Sequence, residues 1–121
     1  MDIPTLMTQI KNHPDYHKAG MILCHNGVVR GTSREGEEVT GLEVVVDHEK
    51  LSQILSEQKK RPGIVEILIH INEGKQLLVG DDVMFLIVAG DIRETVIASL
   101  TDTLNLVKSQ VTRKTQYFKK A

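Results

Sequence analysis

The sequence predicts an α+β fold, a mostly antiparallel sheet with helices packed on one face, in the order α-β-β-α-β-β-α plus a basic C-terminal tail. Several runs of apolar and β-branched residues have the length and alternation of strands. Other segments repeat apolar residues every three or four positions, as amphipathic helices do. Strands and helices neither alternate strictly nor segregate, which favours a mainly antiparallel sheet over a parallel α/β arrangement.

The first half of the chain contains the first helix and two strands. A short helix is predicted at residues 4–12, where Leu6 and Ile10 share a face, and the segment NHPDYHKAG ends it. Residues 19–29 alternate as a strand does. The polar stretch GTSREGEEVTG that follows predicts a loop or a wide hairpin, and the β-branched residues 40–46 predict the next strand.

The second half contains two helices and two more strands. Asp47 is a suitable N-cap for a helix that ends near the RPG segment. Strands are predicted at residues 63–71 and 82–89, with a polar loop between them. Asp91 and Glu94 resemble a capping box at the start of the last helix, which reaches about residue 110. The apolar stripe predicted to face the core on this helix consists of Val96, Ile97, Leu100, Leu104, Val107 and Val111.

Composition limits the classes of function. With 121 residues and no linker or repeat, the chain is expected to form a single domain over residues 1–121. A net charge of −1 and only 3% aromatic residues argue against binding to nucleic acid. The single cysteine, Cys24, fits a reducing cytoplasm. Because no apolar run reaches the roughly 18 residues of a membrane helix and no signal peptide is recognised, we expect a cytoplasmic protein with no membrane association.

Metal, nucleophile and cofactor motifs are weak. His13 and His17 are separated by Pro14, which disfavours a helix that would bring them together, and the cysteine has no partner for a zinc site. Cys24 lies inside a predicted strand, where a small buried residue is the simpler interpretation. Neither a P-loop nor a GxGxxG segment is present. We therefore expect neither a metal nor a cofactor.

Three basic residues are candidates for an anion site. Arg30 ends a strand before a flexible loop, where it is either a surface residue or an anion ligand. Arg93 falls in the middle of the apolar stripe, in a first helical turn that disfavours a cation, so its position indicates a function or an interface. Lys108 lies at the edge of the same stripe in the last turn, where the helix dipole favours it and an ordinary surface role is sufficient.

Five segments together resemble one known family. GMILCHNGVVRGTSREG resembles the strand and G-x-V-R turn of the catalytic (large) subunit of molybdopterin synthase. The segments VVVDHEKL, VEILIHI, VGDDVMFLIVAGDIRE and NLVKSQ follow in that family's order and at nearly its spacing. The likeness covers residues 19–108, with a looser match to residue 119.

This resemblance implies a sulfurtransferase in the biosynthesis of the molybdenum cofactor. The family converts cyclic pyranopterin monophosphate into molybdopterin by adding the two dithiolene sulfurs. Sulfur arrives as a thiocarboxylate on the C-terminal glycine of a small ubiquitin-like sulfur-carrier subunit, whose tail enters a pocket of the large subunit. The large subunits form a homodimer with a small subunit at each end, which makes a heterotetramer.

The resemblance also assigns site residues. Lys108 matches an essential lysine, and Lys119 most nearly matches a second lysine that follows an aromatic pair, so both are predicted to be catalytic. Arg30 matches the arginine of the G-x-V-R turn, and Arg93 the arginine of a His-Arg pair at the start of the last helix. The predicted substrate-binding residues are Arg30, Arg93, Val28, Val29 and Ile92.

One departure from the family pattern leaves open an alternative to an active enzyme. Ile92 stands where the family has histidine, which removes a polar group and a proton donor. The alternative to an active enzyme is therefore a non-catalytic paralogue that binds a pterin or a ubiquitin-like partner tail. A third hypothesis, an anion- or RNA-binding module that uses the basic tail, is disfavoured by the near-neutral charge and scarce aromatic residues.

Overall fold

The computed structural model describes residues 1–120, in which strands and helices form an α+β fold. Its elements are α1 (Ile3–Lys11), β1 (Met21–Val28), β2 (Val39–Val46), α2 (His48–Gln58), β3 (Ile64–Ile71), β4 (Leu77–Leu78), β5 (Asp82–Gly90), α3 (Arg93–Gln110) and β6 (Thr112–Phe118). The strands form two antiparallel sheets, ordered β1-β5-β3 and β4-β2-β6. The predicted fold class and the predicted order of helices and strands are confirmed. None of the helices in residues 1–120 combines the length and apolar character that crossing a membrane requires.

Two strands were not predicted. The basic tail contains β6, which pairs with β2 from Val46↔Thr112 to Val39↔Phe118. The polar loop between the third and fourth predicted strands contains the short β4, which pairs with β2 at Leu42↔Leu77. Both are edge strands, and their backbone hydrogen bonds come from β2, which is distant in sequence. The residues within each segment therefore do not by themselves predict a strand, because its formation depends on pairing with β2.

Helices cover both faces of the β1-β5-β3 sheet, whereas the prediction placed them on one. Alternate residues of β5 face α3 on one side, where Leu86 and Val88 are fully buried. Phe85 and Ile87 face the other side, where they pack against α1 and its fully buried Ile10. A continuous apolar run such as β5 is typical of a strand buried on both faces. This explains why α1 packs on the face opposite α3.

The helix starts show one correct and one incorrect capping prediction. Asp47 caps α2 as predicted, because its carboxylate accepts a hydrogen bond of 3.0 Å from the backbone N–H of Lys50. The capping box at Asp91 is wrong, since Ile92 is the N-cap of α3 and makes no side-chain capping bond. Asp91 instead accepts from the backbone N–H of Ile92 at 2.7 Å, and its carboxylate fills the space beside Gly63.

The buried face of α3 is rotated from the predicted stripe. Ile97, predicted for the core, is 45% exposed, and Ile92 at the helix start is 56% exposed. The buried positions of α3 are Val96, Ser99, Thr103 and Val107. The two small hydroxyl residues occupy core positions that the hydrophobic pattern did not mark. An apolar surface consequently remains at the start of α3.

Ser99 leads to a stability prediction. It is fully buried, and its Oγ has no hydrogen-bond partner within residues 1–120. Because a buried unpaired hydroxyl loses its hydration without compensation, we expect Ser99→Ala to raise the free energy of unfolding by about 1 kcal/mol, measured by chemical denaturation. Ser109→Ala is the control, since that exposed hydroxyl donates to the Asn105 carbonyl at 2.8 Å. A clear loss of stability in Ser99→Ala would contradict the prediction.

Candidate active site

A cleft of about 560 Å³ lies between the two sheets and beside the last turn of α3. Its apolar floor comes from β2 and β5, and polar side chains come from β1, α3, β6 and the hairpin that joins β1 to β2. The chemically active groups are His25, Arg34, Glu35, Lys108 and Lys114. The volume lies within the range of roughly 300–1,000 Å³ that is usual for small-molecule sites.

Strand register directs two of these side chains into the cleft. His25 lies opposite Leu86, whose side chain packs in the core beneath α3, so the imidazole is on the same face of the sheet. In the β4-β2-β6 sheet, Lys114 of β6 lies opposite Val44 of β2, and both residues line the cleft. Because successive residues of a strand point to opposite faces, Arg113 lies away from the cleft.

The hairpin at residues 31–38 carries Arg34 and Glu35. A β-bridge between Thr32 and Glu38 closes it. Ser33 is 4% exposed, and its Oγ accepts a hydrogen bond from the backbone N–H of Glu37 at 3.1 Å. The buried serine thus anchors the hairpin, and the residues immediately after it reach the cleft. The sequence predicted either a loop or a wide hairpin for this segment, and the structure shows a hairpin.

The cleft favours anions. Lys108, Lys114 and Arg34 line it, against the single carboxylate of Glu35. These three cations are exposed, so their attraction for a negative ligand acts through water and weakens as salt increases. Burial, and secondarily the ammonium of Lys108, lower the pKa of His25 below its usual 6.5. At neutral pH the imidazole is therefore uncharged and able to accept a proton.

The structure brings some of the predicted site residues together. Lys108 and Val28 line the cleft. Arg30 is exposed at the base of the hairpin, where its Nε donates to the carbonyl of Thr32 at 2.8 Å, and it does not line the cleft. Val29 is 2% exposed and belongs to the main core cluster. Of the residues predicted at this turn, only Val28 therefore faces the cleft.

The remaining predicted residues lie elsewhere in the chain. Arg93 begins α3 and Lys108 is in its last turn, so their Cα atoms are about 22 Å apart at a helical rise of about 1.5 Å per residue. Arg93 and Ile92 are both exposed, far from the cleft of their own chain. Lys119 follows β6, and its Nζ lies 3.6 Å from the carboxylate of Glu38. The functional roles of these residues stay predictions.

The sequence did not mark three basic residues of the cleft as functional: His25, Arg34 and Lys114. Alternation placed His25 on the same side of its strand as the core residue Val29, so nothing marked it as functional. Arg34 belongs to a hairpin without periodicity, and Lys114 to a segment interpreted as a tail. Recognising TRKTQYF as a strand would have placed Lys114 and Gln116 together on one face.

Other candidate groups do not form a comparable site. Cys24, predicted to be buried, has an exposed side chain, and its Sγ lies 3.9 Å from the sulfur of Met7. A second cleft, of about 460 Å³, contains His48, which lies 2.7 Å from the Glu73 carboxylate. Within residues 1–120, no three His, Cys, Asp or Glu side chains are arranged to bind a metal ion.

A family model described as the MoaE protein matches residues 1–110. The chain belongs to the MoaE family. This family is the large, catalytic subunit of molybdopterin synthase, an enzyme of molybdenum cofactor biosynthesis, so the family recognised from the sequence is confirmed. No curated protein matches the chain.

Solved structures of MoaE-like proteins share the fold. Molybdopterin synthase from Staphylococcus aureus has a TM-score of 0.72 and 21% identity, over 86% of this chain and 78% of that one. Molybdopterin cofactor biosynthesis protein E from Burkholderia multivorans has a TM-score of 0.75 and 22% identity, over 98% of this chain and 86% of that one. A complex of subunits 1 and 2 of molybdopterin-converting factor from Helicobacter pylori has a TM-score of 0.72 and 15% identity, over 99% of this chain and 85% of that one. With identities below 25%, these TM-scores show that the proteins share a fold.

Proposed function

We propose that this MoaE-family chain transfers sulfur from the thiocarboxylated C-terminus of a small ubiquitin-like subunit to cyclic pyranopterin monophosphate, forming the dithiolene of molybdopterin. The observation that carries the proposal is the cleft in which Lys108 lies with Arg34 and Lys114 above an apolar floor. Both proposed reactants are anionic, since one carries a phosphate and the other a thiocarboxylate. A cationic cleft of this volume suits them.

Lys108 is proposed as the main electrostatic catalyst. Its position in the last turn of α3 holds the ammonium at the wall of the cleft, close enough to lower the pKa of His25. A fixed ammonium stabilises negative charge that develops on sulfur or oxygen as the thiocarboxylate reacts. Arg34, with its planar guanidinium, is suited to bind the substrate phosphate through two hydrogen bonds.

The partner is proposed to enter as an extended tail between the two sheets. The complex of two subunits from Helicobacter pylori, which shares the fold, supports a small-subunit partner. We propose that two large subunits also associate, and the exposed apolar residues Ile92 and Ile97 at the start of α3 support an interface there. The reaction is placed in the cytoplasm, which the single cysteine fits.

Reconstitution tests the proposed function. The purified chain is mixed with a thiocarboxylated small subunit and cyclic pyranopterin monophosphate, and molybdopterin is measured by mass spectrometry. We expect product only when all three components are present. A chain that binds both reactants without forming product would instead be the non-catalytic paralogue, the alternative that Ile92 keeps open.

A comparison of two lysines tests which of them is the second cation of the site. Lys114 lines the cleft, whereas Lys119 lies beside Glu38. We expect Lys114→Ala to raise the dissociation constant for the small subunit roughly tenfold, equivalent to about 1.4 kcal/mol, and the effect to shrink as salt increases. Isothermal titration calorimetry at two ionic strengths measures it.

The control for this comparison is Arg113→Ala, because Arg113 lies on the same strand but does not line the cleft. Its affinity for the small subunit is expected to stay close to that of the wild type. A larger loss in Lys119→Ala than in Lys114→Ala would place the second cation at Lys119, as the sequence predicted.

A further inference from the structure

His25 places an imidazole in the cleft beside Lys108. The residue is half-buried, and its position opposite Leu86 puts the side chain on the face of the sheet that α3 covers. The Nε2 atom lies near Gly27, where an added Cβ would be 3.4 Å from this nitrogen. Because Gly27 has no side chain, the edge of the imidazole that carries Nε2 is left uncovered there.

The charged groups around His25 keep it available as a base. Lys108 from α3, Lys114 from β6, and Arg34 and Glu35 from the hairpin line the same cleft. Burial and the ammonium of Lys108 both disfavour the imidazolium, which lowers the pKa of His25 and leaves the ring uncharged at neutral pH.

Two other histidines are held by protein groups. His48 pairs with Glu73 at 2.7 Å, and the ring of His70 lies 3.1 Å from the Asn72 side-chain oxygen. His25, in contrast, combines an uncharged ring with a position among the cations of the proposed site. This combination is what a general base in an anion-binding cleft requires.

We propose that His25 accepts a proton from the water that releases the transferred sulfur from the small subunit. The proposal rests on the proposed function and assigns a catalytic residue to it. Sulfur that has bonded to a substrate carbon is still joined to the terminal carbonyl of the small subunit as a thioester. That thioester has to be hydrolysed before the sulfur belongs to the product.

The hydrolysis balances with His25 as the proton acceptor. The water oxygen bonds to the thioester carbonyl carbon while one water proton moves to Nε2 of His25. The carbon–sulfur bond then breaks, and its electron pair stays on sulfur. The products are a thiolate on the substrate and a carboxylic acid on the small subunit, which loses its proton to solvent, as the imidazolium does afterwards. Lys108 and Lys114 line the cleft in which both negative charges form.

The test compares His25→Gln and His25→Phe with the wild type in the complete assay with small subunit and precursor. We expect kcat to fall by about 10²-fold, the lower end for general base catalysis, with little change in KM for the precursor. The thioester adduct of small subunit and substrate should accumulate and be visible by intact-mass spectrometry. The wild-type rate should fall as pH drops through the lowered pKa of His25, and this acidic limb should be absent in His25→Gln. His17→Gln, at an exposed position, is the control and should behave as the wild type.

A second measurement is independent of turnover. NMR titration should show that Lys108→Ala raises the pKa of His25, because the ammonium that disfavours the imidazolium is gone. An unchanged pKa would contradict the proximity on which the proposal depends.

The outcomes separate the two proposals. An active wild type whose His25→Gln variant has the same rate and pH profile and accumulates no adduct would overturn the role of His25 alone. A wild type that forms no product would overturn the proposed function, and the role of His25 with it. If His25→Phe fails to fold, the smaller polar change in His25→Gln decides.

Discussion

Lys108→Ala is expected to lower the rate of molybdopterin formation by about 10²–10³-fold, the usual effect of removing one preorganised group that stabilises developing charge. Lys108 lies in the last turn of α3 at the wall of the cleft. Its side chain is exposed, so the loss of packing is small. The free energy of unfolding should therefore stay within about 0.5 kcal/mol of the wild type.

Steady-state kinetics and a thermal melt of the same preparation measure both effects. Lys60→Ala is a matched control, because Lys60 is an exposed lysine that lies just after α2 and does not line the cleft. Its rate should equal that of the wild type. A near-normal rate for Lys108→Ala, combined with a normal melt, would contradict the catalytic role.

Mixing two inactive variants is expected to restore activity. The Cα atoms of Arg93 and Lys108 are about 22 Å apart along α3, which is too far for both side chains to reach one small pterin in the same chain. Both can serve one site if Arg93 comes from the twofold mate of a dimer, since a C2 interface repeats each contact with the chains exchanged. The exposed Ile92 and Ile97 beside Arg93 supply an apolar surface for such a contact.

The two homodimeric variants, Arg93→Ala and Lys108→Ala, should each be impaired. After equal mixing and full subunit exchange, half of the dimers are mixed and each of these has one intact site, so about a quarter of the wild-type activity should return. Native mass spectrometry confirms the exchange, and the assay measures the recovery. Confirmed exchange without recovery would exclude the shared site and leave Arg93 without a role in it.

Periodicity was most informative where an element has its own apolar face. The continuous apolar run of β5 and the amphipathic pattern of α1 were both predicted in place, and Asp47 marked the start of α2. The ordered set of segments also identified the family, and it led to Lys108 as a candidate residue that the structure places in the cleft. These features depend on residues close together in the chain, so the sequence carries them directly.

Elements stabilised by a distant partner were predicted less well. The residues of β6 are mostly polar, and their strand conformation depends on hydrogen bonds with β2. Asp91 has the sequence of a helix cap, but packing against Gly63 directs its carboxylate elsewhere. Tertiary contacts override local preference in both cases.

The sequence by itself determined the fold class, the order of its main elements and the family, and it pointed to the lysine at the end of α3 as a candidate site residue. Only the tertiary structure decided which groups surround that lysine. His25, Arg34 and Lys114 come from a strand, a hairpin and an edge strand that are far apart in the chain. They meet because the packing of two separate sheets brings them to one cleft. Strand register sets the face on which His25 and Lys114 lie, and no local sequence pattern specifies this register across such distances.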